Sequence, residues 1–272
     1  MEKMTRTMIQ SVLGRRVLGV MMAGAVAATG FMLGAQPAKA SIDAKEPEAI
    51  DWSFNGPFGT YDKSQLRRGF KVFKEVCSTC HSAHLLKFRN LADEGGPEFT
   101  EAQVKALAAE YTIEELNGSG EMEERPRLPK DPFPSPYANP EQAAAVLGVA
   151  PPDLSVMAKA REGGPDYIHA LLTGYQEPPQ GREMATGTHY NPYFPGGAIA
   201  MPQPLSADQV EYEDGTPATL DQESRDVSAF LMWVAEPKLE RRHEMGFQVM
   251  LYLIALAGIL YFAVRKVWSD VH

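Results

Sequence analysis

The sequence predicts a mainly α-helical domain of roughly 200 residues, broken by one long irregular insertion and followed by a single C-terminal transmembrane helix. Three observations carry that expectation. Apolar residues recur at helical spacing in segments that open on capping residues and stop at glycine or proline. Six prolines crowd into residues 117–140 ("NGSGEMEERPRLPKDPFPSPYANP"), where no period survives. Met245 to Val264 contains no charged residue.

Along the chain, Lys3, Arg6, Arg15 and Arg16 precede an apolar run from Val17 to about Ala35, and Ala38-Lys39-Ala40 reads as a cleavage site. Residues 1–40 are therefore expected to be a cleaved secretory signal peptide, with Ser41 opening the mature chain. Asp62 with Gln65 reads as a capping box for a helix in which Leu66, Phe70, Phe73 and Cys77 share one face. A second helix is expected over Thr100 to Tyr111, capped by Thr100 and Gln103, with Val104, Leu107, Ala108 and Tyr111 inward. The proline-rich, acidic stretch at about 112–140 is expected to be an irregular extended loop. Asp153 to Arg161 and Pro165 to Thr173 read as two short helices closed at Gly163 and Gly174. Thr219 with Gln222 opens a last soluble helix, striped by Val227, Phe230, Leu231 and Val234 and stopped by Pro237. At ~1.5 Å per residue the uncharged run 245–264 spans roughly 30 Å, the thickness of a hydrocarbon core.

A cleaved export signal followed by a stop-transfer helix places residues 41–240 in the periplasm and 265–272 in the cytoplasm, as a single-pass protein of a bacterial cytoplasmic membrane. The chain carries 26 basic and 35 acidic residues, and the signal removes five bases and one acid. The acids concentrate in 93–124 and 208–226. Such an excess excludes nucleic acid as a partner and favours a basic protein.

The only two cysteines lie in "EVCSTCHSAH", residues 75–84. A redox dithiol needs a βαβ setting that is missing around Cys77, and zinc needs a second ligand pair beyond Cys77, Cys80, His81 and His84. A disulfide over so short a loop is strained. Cys77-Ser78-Thr79-Cys80-His81 instead meets the requirement for one covalently bound haem c, two sulfurs for two vinyl groups and an imidazole for the iron. The first and last soluble helices, packed together, then resemble the core of a c-type cytochrome. For the sixth ligand, Met201 leads, because "NPYFPGGAIAMPQP" stiffens the chain with Pro195, Pro202 and Pro204 while Gly196 and Gly197 permit close approach. Met184 and the histidines His84, His169 and His189 remain open. Met157 and Met232 read as core packing.

Together with that motif, "PPDLS" at 151–155, "AREGGPDYIHALLTGYQEPP" at 160–179, "NPYFPGGAIAMP" at 191–202 and the C-terminal anchor resemble the cytochrome c1 family, haem subunits of the bc1 complex. The resemblance implies that Cys77 and Cys80 carry the haem, that His81 and Met201 bind its iron, and that Arg161 stands near a haem propionate. It implies an electron relay inside quinol–cytochrome c oxidoreductase, with cytochrome b and a Rieske iron–sulfur protein as neighbours. The acceptor is then a basic c-type cytochrome, soluble or membrane-tethered. No residue set for bond chemistry is present. A free membrane-anchored monohaem carrier and a haem subunit of a terminal oxidase are the alternatives. Some bacterial relatives carry a further cysteine pair that braces the haem domain; this chain has none, so its ligand loop must be braced by proline and packing.

Overall fold

A computed structural model describes residues 44–269. The expected signal peptide, residues 1–40, lies outside that range. The elements run α1 (Lys63–Glu75), α2 (Glu101–Ala109), a hairpin of β1 (Thr112–Leu116) and β2 (Met122–Pro126), α3 (Pro140–Leu147), α4 (Met157–Ala160), α5 (Gly164–Thr173), a two-residue ladder of β3 (His189–Tyr190) and β4 (Ala198–Ile199), α6 (Leu220–Ala235) and α7 (Leu239–Val267). Helix dominates, and one apolar helix stands at the C-terminal end.

N-cap residues expected from sequence act in three helices, although the box expected at Asp62 and Gln65 forms only its Asp62 half. Asp62 accepts from the amides of Ser64 and Gln65, Thr219 accepts from Gln222, and Thr100 and Gln103 complete a reciprocal capping box. Helices α1 and α6 cross so closely that a Cβ on Gly69 would lie 2.0 Å from the carbonyl oxygen of Asp226. Around this crossing Phe70, Phe73, Phe133, Phe230 and Trp233 form a chain of ring contacts, with centroids 5.4 to 6.1 Å apart. Arg68 locks the same crossing: its guanidinium donates to both oxygens of Asp226 at 2.8 and 3.2 Å and to Asp214 at 2.9 Å. Asp226 is fully buried, so this planar fork satisfies a carboxylate that water cannot reach.

The proline-rich insertion is not irregular throughout, which corrects the expectation for 112–140. Asn117 shapes a turn by accepting from the amides of Ser119 and Glu121, and β1 and β2 pair antiparallel across it. Arg125 fastens the hairpin to Glu115 and, through two bonds, to Asp131. That pairing holds the Asp131 carboxyl down at about 2. Beyond it, Phe133 plugs into the aromatic core and its amide donates to the Leu86 carbonyl. Both strands are exposed at nearly every position, so no alternation of apolar and polar residues advertised them.

Two shorter helices also differ from expectation. Only Met157–Ala160 of the 153–161 segment is helical, because the side chains of Asp153 and Ser155 are engaged in bonds that compete with a helix, the Asp153 carboxylate accepting from the Ser82 hydroxyl and the Ser155 amide and the Ser155 hydroxyl from the Leu85 amide. Gly163, left-handed at φ 82°, precedes α5 rather than closing α4, and Gly174 follows it at φ −91°. The apolar helix is longer than the uncharged run, beginning six residues earlier at Leu239 and continuing to Val267.

Candidate haem site

Helix α1 ends by delivering the cysteine motif. Cys77–Thr79 form one 3-10 turn, and the amides of Cys80 and His81 donate to the Cys77 carbonyl at 3.2 and 2.9 Å. The two residues between the cysteines have a local task. Ser78 donates its hydroxyl to the Lys74 carbonyl at 2.7 Å and Thr79 to that of Val76 at 2.6 Å, satisfying carbonyls that the helix end leaves open. Cys77 packs against the core, and the two cysteines are not joined to each other. Burial, with the neighbouring Cys80 adding to it, pushes the Cys77 thiol up to about 12. A thiol so held is a poor redox nucleophile.

His81 is half-buried, and its Nδ1 lies 2.8 Å from the Pro152 carbonyl oxygen. A carbonyl only accepts, so Nδ1 carries the proton and Nε2 keeps its lone pair for a metal. Burial lowers the pKa of His81, against the opposing pull of that carbonyl and of Asp153, so the ring stays neutral. The Pro152 carbonyl is fixed in turn by its neighbour. Asp153 accepts from the Ser82 hydroxyl at 2.7 Å, the His84 amide at 3.0 Å and the Ser155 amide at 2.9 Å, and it pairs with His84 Nδ1 at 2.7 Å. Burial works to raise its pKa, but these donors prevail and hold it well below the usual carboxylate range. The Leu154 amide donates to the Ser82 carbonyl and the Leu85 amide to the Ser155 hydroxyl. Residues 81–85 and 152–155 thus form one clasp around the imidazole. "PPDLS" was legible as a family mark, but nothing in its spacing announced this contact with His81.

Met201 is half-buried and packs against the same core cluster as Cys77. Its loop is braced more by side chains than by prolines. The fully buried Asn191 donates to the Leu171 carbonyl at 2.7 Å and accepts from the Tyr193 amide. Gly196 and Gly197 are left-handed at φ 73° and 67°, conformations that a side chain would strain. Arg182 donates to the Gly196 carbonyl and lies over the Tyr190 ring at 5.0 Å. The Tyr175 hydroxyl donates to the Met201 carbonyl at 3.0 Å. Asn191, Arg182 and Tyr175 were not singled out from sequence; Asn191 and Tyr175 lie within the stretches quoted there and Arg182 between them, but only the fold shows what each holds.

The other candidates are placed differently. Met184 is half-buried on an irregular stretch between two turns, one closed by the Arg182 amide on the Pro179 carbonyl and the other by the Thr188 amide on the Ala185 carbonyl. His169 Nε2 faces Asp221 at 2.9 Å, His84 is taken up by Asp153, and His189 is exposed on β3. Met157 and Met232 pack against the core, as expected. Arg161 is exposed just beyond α4, with the Tyr167 hydroxyl as a hydrogen-bonding neighbour. Among the described residues no three His, Cys, Asp or Glu side chains converge to hold a metal ion.

The donor set suits an iron tetrapyrrole better than a bare ion: two thiols for addition, one imidazole of fixed tautomer and a thioether on a stiffened loop. A helical domain with this donor set, whose last core helix is followed directly by an apolar helix long enough to cross a membrane, has the build expected of an anchored c-type cytochrome. The family model described as "Cytochrome C1 family" matches residues 52–271. Over 280 residues the chain is 47% identical to cytochrome b/c1 of Bradyrhizobium diazoefficiens, covering 95% of this chain and 41% of that relative. It is 46% identical to cytochrome c1 of Rhodospirillum rubrum over 239 residues, covering 81% of this chain and 87% of the relative. It is 44% identical to a mitochondrial cytochrome c1 haem protein of Arabidopsis thaliana over 259 residues, covering 94% and 83%. The chain belongs to the cytochrome c1 family. Membership implies a c-type haem and a place as the haem-bearing, electron-transfer subunit of the bc1 complex.

Proposed function

We propose that this chain relays single electrons from a Rieske iron–sulfur protein to a c-type cytochrome within ubiquinol–cytochrome c oxidoreductase, beside cytochrome b. The observation that carries the reading is the clasp on His81, which leaves Nε2 as a neutral, oriented donor directly after the second cysteine. Cys77 and Cys80 would hold one haem c through thioethers, His81 and Met201 would bind its iron, and Arg161 would stand near a propionate. When bound, the haem would supply reversible one-electron exchange at its iron. The protein's own part is to keep water away and the donors still. Burial around Cys77 shields one edge, the 152–155 clasp fixes the imidazole, and Asn191, Arg182 and Tyr175 hold the Met201 loop. Residues 41–240 would stand in the periplasm, with 245–264 as anchor and 265–272 in the cytoplasm.

Charge supports a basic acceptor at the hairpin. Glu98, Glu110, Asp214 and Asp221 are paired within the chain, and Glu223 and Asp226 are buried, so much of the acidic excess is structural. On the hairpin, Glu114 stands opposite Glu124 and Glu115 opposite Glu123. Like charges in register cost stability, which Arg125, paired with Glu115, offsets in part. An exposed arrangement kept against that cost suits a cationic partner. The haem assignment is tested by replacing Cys77 and Cys80 with alanine together. Haem staining on denaturing gels should vanish in the double variant, and staining that persists overturns the assignment.

A further inference from the structure

Residues 53–60 form a closed loop with an apolar tip. The Thr60 amide donates to the Ser53 carbonyl at 3.0 Å, Gly56 is left-handed at φ 77°, and a Cβ on Gly59 would lie 2.3 Å from the Phe54 backbone. The loop is therefore shaped in advance rather than slack. Its base is fastened to the core, with Trp52 stacked on Phe54 and its indole donating to Asp166 at 2.6 Å. Its far side is fastened to the start of α7. The Tyr61 amide donates to Glu240 Oε1 at 2.7 Å, the Tyr61 hydroxyl donates to the Glu236 carbonyl at 3.2 Å, and His243 Nδ1 lies 3.3 Å from the Gly59 carbonyl. At the tip, Phe58 is 79% exposed, and its ring meets that of Phe247 edge-on at 6.3 Å.

Phe247 is the third residue of the uncharged run, ~3 Å below its first residue at 1.5 Å rise per residue. Lys238 and Arg241, exposed and without an ion pair among the described residues, mark the headgroup level above it. We infer that loop 53–60 is a second membrane contact, with Phe58 inserted into the lipid interface beside the anchor. An aromatic ring held against a spanning helix at that depth sits where interfacial aromatics gain from partial burial. Two lipid contacts, one of them rigidly tied to α1 through Tyr61 and Asp62, would set the tilt of the haem domain on the bilayer. The inference rests on the reading of α7 as a membrane anchor.

The full chain in phosphatidylcholine vesicles, containing a trace of lipid bearing a diazirine in its upper acyl chain, tests this by photolabelling and peptide mass analysis. Lipid adducts should appear on the tryptic peptide Glu46–Lys63 as well as on α7. Phe58→Ser should lower the adducts on that peptide by roughly tenfold while those on α7 persist, the scale of losing one aromatic side chain's burial. Adducts confined to α7, or a loop signal unchanged in Phe58→Ser, overturn the inference. If α7 itself is unlabelled, the anchor reading fails instead.

Discussion

Gly69→Ala should destabilise the domain although it replaces a poor helix former with the best. In a free helix that exchange gains ~1 kcal/mol. Here the new Cβ would lie 2.0 Å from the Asp226 oxygen and 2.7 Å from the Asp226 carbonyl carbon and the Phe230 Cβ, where ordinary contact begins at 3.4 Å. The obstacle is backbone, which no rotamer change relieves, so α1 and α6 must part by about 1.4 Å. A gap of 0.5–1 Å already forfeits roughly a quarter to a half of each contact's attraction. The contacts at risk include the rings of Phe70, Phe73 and Phe230 and the fork of Arg68 on Asp226. Overpacking costs ~1–3 kcal/mol, and a clash with backbone belongs at the upper end, leaving a net loss of ~2 kcal/mol. At ~2–4 °C per kcal/mol for a domain of this size, Tm should fall by roughly 4–8 °C. Near-UV circular dichroism of the detergent-solubilised chain measures it, with Gly118→Ala as control, since nothing lies within 4 Å of that site. A Tm for Gly69→Ala equal to or above that of the parent refutes the packing argument.

Asp153→Asn should loosen the clasp on His81 and weaken the imidazole as a donor, which favours ferrous iron; a tenfold loss of preference for ferric corresponds to a rise of ~59 mV, and an unchanged potential in redox titration counts against the clasp. Glu223 is fully buried, with one oxygen accepting from the Val210 amide and the other unpartnered, and burial raises its pKa despite the backbone donors. Above the ordinary glutamate value of ~4.3 the folded state therefore holds a proton that the unfolded state has lost, so stability falls as pH rises until the raised folded value is passed. Glu223→Gln should remove that fall and be as stable as the parent, or more so, at pH 7, as read from urea midpoints; a large loss at pH 7 would show that the charged form is the stabilising one. Glu114, Glu123 and Glu124 replaced together by glutamine should slow electron transfer to a soluble basic cytochrome on the order of tenfold at low salt and flatten its dependence on ionic strength, and stopped-flow rates unaltered by the triple change place docking elsewhere.

Helices with strong local signals were legible in the sequence. Asp62, Thr100 and Thr219 all cap as their side chains suggest, and the stripes of α1 and α6 face the core. The hairpin escaped because its strands are glutamate-rich and exposed, held by Arg125 and the Asn117 turn rather than by a buried face. Most of 153–161 read as helix because apolar spacing is blind to Asp153 and Ser155, which bond to residues some 70 positions away. At the site, Cys77, Cys80 and His81 are contiguous and so visible in one dimension. The partners of His81 and the braces of Met201 come together only through long-range folding, as Pro152 does with His81 and Asn191 with Leu171. Spacing also could not separate surface acids from Asp226 and Glu223, which the core has absorbed.

Redox titration of Met201→Leu beside Met184→Leu tests the central claim most directly. A thioether is a soft, weak donor that favours ferrous iron, and leucine leaves the position to water or a nitrogen base, which favour ferric. The account predicts that Met201→Leu retains covalent haem while its potential falls on the order of hundreds of millivolts, within the ~0.8 V range that axial ligands command, and that Met184→Leu stays near the parent. A parent-like potential in Met201→Leu, or the large fall appearing in Met184→Leu instead, contradicts it.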